Sequence, residues 1–104
     1  MATDMTVANT ILEQLGGRKF TVMTGAKQYT GRENSLSFRL PGGGGFCKKG
    51  INYVVITLNG RDTYDVEFSR IRGRQVEIVS QAHDIYNDQL REVFTRETGL
   101  ATSL

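Results

Sequence analysis

Between residues 51 and 80 the chain reads INYVVITLNGRDTYDVEFSRIRGRQVEIVS, and this stretch constrains the fold more than any other. Val54, Ile56 and Leu58 alternate with Tyr53, Val55 and Thr57; further on, Tyr64, Val66 and Phe68 alternate with Asp65, Glu67 and Ser69. Alternation with a period of two marks a strand with one buried face. The two runs are separated by Asn59-Gly60. A type I′ turn needs positive φ at both central residues, and Asn and Gly reach it at least cost. Gly73 marks a second reversal, into Val76 and Ile78. The stretch therefore predicts three antiparallel strands joined by two tight turns.

The flanking segments supply the rest of one α+β domain spanning residues 1–104. Val7, Ile11, Leu12 and Leu15 fall at helical spacing, with Thr6 as a candidate N-cap and Gly16-Gly17 as the stop. Residues 19–26, KFTVMTGA, read as a first strand, followed by a polar loop, KQYTGREN. Leu36, Phe38 and Leu40 give a second, alternating strand. Pro41 and four consecutive glycines then break regular structure, and so glycine-rich a loop is expected to move unless a partner holds it. From about Asp84 the period becomes 3.6, through Tyr86, Leu90, Val93 and Phe94, with Asp84 or Asn87 as cap and Thr98-Gly99 as the end. The predicted order is helix, five strands, helix: a single antiparallel sheet with helices against one face.

Charge is unevenly spread. The net charge is +2, yet residues 17–74 hold eleven Lys or Arg against Glu33, Asp62, Asp65 and Glu67. The terminal segments are acidic. A basic strand-forming middle is the electrostatic footprint of a polyanion-binding surface, and it also lets the middle attract the ends. No apolar run approaches the roughly 18–20 residues that span a membrane, and the first residues lack a basic start followed by an apolar stretch. With one cysteine there is no internal disulfide, so the sequence reads as cytoplasmic.

The residue types disfavour catalysis. Glycines before Lys48-Lys49 suggest a phosphate loop, but Phe46-Cys47 stands where the motif requires Gly directly before Lys. Cys47 and His83 are the single Cys and the single His; a thiol in a glycine loop is poorly organised for nucleophilic attack, and the pair has no metal-ligand spacing. No enzyme, cofactor or metal is expected. The cations carry more meaning. Arg70, Arg72 and Arg74 recur around Gly73, Lys48 and Lys49 adjoin Phe46, and Lys27 and Arg32 bracket Tyr29. Cations that neutralise phosphates beside rings that stack on bases are what single-stranded nucleic acid requires. Tyr53 and Val55, in the middle of the face opposite the helices, are candidates for a protein contact or a homodimer.

TILEQLGGRKFTVMTGAK near the start and DIYNDQLREVFTRETGLATSL at the end resemble small hypothetical proteins of tailed phages, a group without an assigned activity. In layout, strands followed by a helix are similar to single-stranded-DNA binders of the positive-cofactor and Whirly type, from which this chain departs by its N-terminal helix and the acids on its sheet. The expectation is a phage-type accessory protein that binds nucleic acid through Lys27, Arg32, Lys48, Lys49, Arg70, Arg72 and Arg74, with Tyr29 and Phe46 stacking. The alternatives are a phage protein that blocks or redirects a host protein through the glycine loop and the Tyr53–Val55 face, and a virion or assembly component.

Overall fold

In the computed structural model, which describes residues 6–40 and 50–99, strand alternation and helical spacing resolve into two layers. Helices α1 (Thr6–Leu15) and α2 (Arg18–Thr24) come first. Strands β1 (Lys27–Gly31), β2 (Ser35–Arg39), β3 (Tyr53–Leu58), β4 (Tyr64–Arg72) and β5 (Gln75–Ile85) follow, then one 3-10 turn (Asn87–Gln89) and helix α3 (Leu90–Thr98). The strands pair in chain order, each antiparallel to its neighbours, so β1 and β5 are the edges of an open meander.

Register explains which face is inside. Leu36, Ile56, Val66 and Ala82 lie in one row across β2 to β5, and Phe38, Val54, Phe68 and Ser80 in the next row of that face. All but Ala82 and Ser80 of this set belong to the buried core. Helix α1 lies over β2 and touches α3, which in turn contacts β5. Ile11 and Leu15 come from α1, Phe20 from α2, and Leu90, Val93 and Phe94 from α3. Phe20 meets Phe38 and Phe94 edge-on at 5.4 and 5.0 Å between ring centres, which joins both helical segments to the sheet. Each such ring contributes roughly 1.5–3 kcal/mol through its burial.

Three local expectations are corrected. Residues 19–26 are not a strand: α2 occupies Arg18–Thr24. Phe20 and Thr24, four residues apart, are buried on one side, while Val22 is 74% exposed. The β-branched composition favours a strand locally, but only a helical turn places Phe20 against Phe38 and Phe94. The segment predicted as a polar loop contributes β1 instead, with Tyr29 packed on Phe38 and a register break before Thr30 where Gln28 takes φ 56°. At the other end of the sheet β5 continues to Ile85, past the predicted helix start. Tyr86 is exposed, neither Asp84 nor Asn87 caps α3, and the Tyr86 N–H instead meets Gln89 Oε1 at 3.3 Å. Gly99 closes α3 as predicted, its N–H donating to the Thr95 carbonyl at 2.8 Å.

Candidate nucleic-acid interface

Strand β4 runs between two dissimilar turns, and the chemistry of the sheet divides accordingly. At one end is the connection from β3, Asn59–Thr63, between the paired residues Leu58 and Tyr64. It is not the two-residue type I′ turn that Asn59-Gly60 predicts. Neither of those residues has positive φ; Asp62 does, at 60°, and its N–H donates to the Asn59 carbonyl at 3.3 Å. The Asn59 side chain closes the longer loop. Its Oδ1 accepts from the Arg61 N–H at 2.8 Å and the Thr63 hydroxyl at 3.0 Å, and its Nδ2 donates to Asp65 Oδ1 at 3.2 Å. These side-chain bonds outweigh the backbone preference of the dipeptide.

Asp84, on β5 with φ 55°, joins this network: its Oδ1 lies 3.2 Å from Thr63 Oγ1, as an alternative acceptor to Asn59 for that hydroxyl, and Arg61 pairs with its Oδ2 at 3.2 Å. His83 Nδ1 lies 3.5 Å from Asp65 Oδ1. Burial works to raise the Asp65 carboxyl, but the Asp84 N–H, the Asn59 amide and His83 together hold it below the usual carboxylate range. Asn59, Gly60, Arg61, Asp65, His83 and Asp84 line an open cleft of about 450 Å³. Its charges are largely spent on one another. Apart from Asn59 itself, no local pattern points to this cluster, because the β4–β5 register is what brings His83 and Asp84 to Asp65.

The opposite end carries the cations. Lys27, Arg39, Tyr53, Ser69 and Ile78 are register partners in one row across all five strands. Beyond that row lie Arg70 opposite Glu77, Ile71 opposite Val76, and Arg72 opposite Gln75, with Gly73-Arg74 as the turn. Gly73 has φ 58°, a conformation that glycine adopts without strain. Asn52 extends the ladder here: its Nδ2 donates to the Ile71 carbonyl at 2.9 Å and its Oδ1 accepts the Ile71 N–H at 2.8 Å. That reciprocal pair fixes the segment holding Arg70 and Arg72. Gly50, with φ 72°, packs at the same place; a Cβ there would come within 3.0 Å of Arg70 Cδ.

The predicted contact residues thus divide. Lys27, Arg70, Arg72 and Arg74 are gathered at the Gly73 end, with Arg72 and Arg74 exposed. Arg70 is paired with Glu77, whose carboxyl it pulls below the ordinary range. Arg32 is exposed but lies at the far end of β1, at the Asn59 side of the sheet. Tyr29 is half-buried: its ring lies 5.5 Å from that of Phe38 and its hydroxyl is 2.7 Å from Thr21 Oγ1, so part of the ring is engaged in packing. Phe46, Lys48 and Lys49 fall outside the described residues. Tyr53 and Val55 are half-buried on the face away from the helices. Arg39, next to Tyr53 in the row, was not singled out by sequence reasoning; its alternation with Phe38 was the available signal.

Among the described residues no three His, Cys, Asp or Glu side chains converge in a way that would hold a metal ion, and no helix is long and apolar enough to cross a membrane. Compared with known protein families, curated proteins and solved structures, the chain finds no match.

Proposed function

We propose that this chain is a non-catalytic accessory protein, of the phage type it resembles, that binds single-stranded nucleic acid at the Gly73 end of its sheet. The observation that carries this reading is the register. It brings Lys27 and Arg39 of β1 and β2, and Arg70, Arg72 and Arg74 of β4 and its turn, to one end of the sheet, where Glu77 is the one carboxylate in the strand segments concerned. Phosphates gain from such a site by releasing counterions, and Tyr53, beside Arg39, offers a ring on which a base can stack. Asp65, Glu67 and Asp84 lie toward the other end, so the strand follows the sheet's end and does not cross the whole face.

Fluorescence anisotropy with labelled single- and double-stranded oligonucleotides tests this directly. Five phosphate contacts predict roughly 10²-fold weaker binding at 200 mM than at 50 mM salt. Arg72→Ala with Arg74→Ala leaves the Arg70–Glu77 pair intact and should lower the salt slope by about one to two. No binding at low salt overturns the reading.

A second reading has one observation in its favour. Val76 and Ile78, 63% and 52% exposed, lie on β5 on the same face as Tyr53, with Ile78 in its register row, which suits a contact with a host protein. Binding to such a protein would vary little with salt.

A further inference from the structure

The helices cover one face of the sheet; among the described residues none lies over the other, on which Ser37 and Ser69 are nonetheless buried. On that second face two register rows run side by side. One holds Arg39, Tyr53, Ser69 and Ile78; the other holds Ser37, Val55, Glu67 and Gln81. Their centre, Tyr53 and Val55 on β3, is apolar and half-buried. Arg39 on β2 and Glu67 on β4 flank this centre diagonally, one from each row. Both are half-buried, and among the described residues neither has an ion-pair partner. A half-buried cation and a half-buried anion have each lost part of their hydration without a charge partner to offset it.

We propose that two copies of the chain pack their open sheet faces together about a two-fold axis that passes between Tyr53 and Val55. An axis in the plane of the interface and perpendicular to the Arg39–Glu67 diagonal exchanges the two positions. It therefore sets Arg39 of each copy against Glu67 of the other, twice, around a centre of Tyr53 and Val55. This is the self-complementarity that an isologous interface demands. Charge also argues against the other occupants. Glu67 repels a polyanion laid across the face, and a second copy supplies the complement of both charges with no other protein required. Pairing through the β5 edge is disfavoured as well, since two register breaks and the positive φ of Asp84 bend that strand out of line. The dimer shares Arg39 and Tyr53 with the nucleic-acid site and so competes with it there, while Lys27, Arg70, Arg72 and Arg74 belong to that site alone; measured without nucleic acid, dimerisation stands or falls independently of that reading.

The test is sedimentation of the full chain from about 1 to about 100 µM, without nucleic acid. A dimer is expected. Arg39→Glu and Glu67→Arg should each weaken it about tenfold or more, and the double exchange should restore it to within about threefold. A monomer at every concentration overturns the proposal, and so does a double exchange no better than the single changes. Should a charge variant fail to fold, Val55→Cys in a Cys47→Ser background decides. Near the axis it should oxidise to a covalent dimer, and failure to cross-link counts against the interface.

Discussion

Strand β4 ends in the Asn59–Thr63 loop on one side and in the Gly73-Arg74 turn on the other, and the two ends differ in where their polar groups go. At the Asn59 end an amide, the Thr63 hydroxyl in the same loop, the Asp65 carboxylate on β4 and one carboxylate on β5 satisfy each other within the chain. At the Gly73 end the backbone is closed by glycine and by the Asn52 side chain, while Arg72 and Arg74 extend into solvent. The first arrangement stabilises a turn. The second leaves charge available to something outside the molecule.

Asn59→Ala should have the largest effect on stability. It removes the acceptor and donor that close the loop and strips partners from Thr63 and Asp65, costing roughly 2–3 kcal/mol. Arg72→Ala with Arg74→Ala should change stability by less than about 0.5 kcal/mol. Urea denaturation of both variants measures the contrast, and equal losses at the two ends would break it.

Gly73→Ala comes next, at about 1 kcal/mol. A Cβ there meets nothing within 4 Å, so the whole cost is backbone conformation at φ 58°. Gly73→Asn should recover most of it, because Asn tolerates the left-handed region. An equal loss for Asn would mean the tip is held by contacts rather than by its turn.

The smallest effect is a pH dependence confined to the Asn59 end. Asp65 has its carboxyl held below the ordinary 3.8, so the stability it contributes is present above that value and is lost as pH falls through the folded-state pKa. Asp65→Asn should flatten the acid limb of a stability–pH curve, and Arg72→Ala should leave it unchanged. A curve with the same acid limb in Asp65→Asn would show that the carboxylate is not what the network holds.

Legibility in the sequence followed the same division. Alternation from Tyr53 to Phe68 located β3 and β4, and Gly73 located the β4–β5 turn, because both signals are local. The Arg70–Arg74 run was visible for the same reason. The Asn59 turn was located correctly but assigned the wrong geometry, since its closure depends on Thr63, Asp65 and Asp84, and Asp84 is 25 residues away from Asn59. Tyr29 looked like an exposed ring between cations. Its packing on Phe38 depends on where β1 pairs, which no neighbour in the chain specifies.

By itself, then, the sequence determined the α+β class, the antiparallel hairpins of residues 51–80 and the basic character of its middle. Side-chain alternation, turn residues and charge act within a few positions of one another. Tertiary structure decided that residues 18–24 form a helix, because Phe20 gains more from Phe38 and Phe94 than its β-branched neighbours gain from a strand. It also decided which charges are spent and which remain available. Register pairs Arg70 with Glu77 and ties Asp84 into the Asn59 loop, while among the described residues it leaves Arg39 and Glu67 without an ion-pair partner. Pairing between distant strands is a property of the whole sheet, and so is the distribution of charge that follows from it.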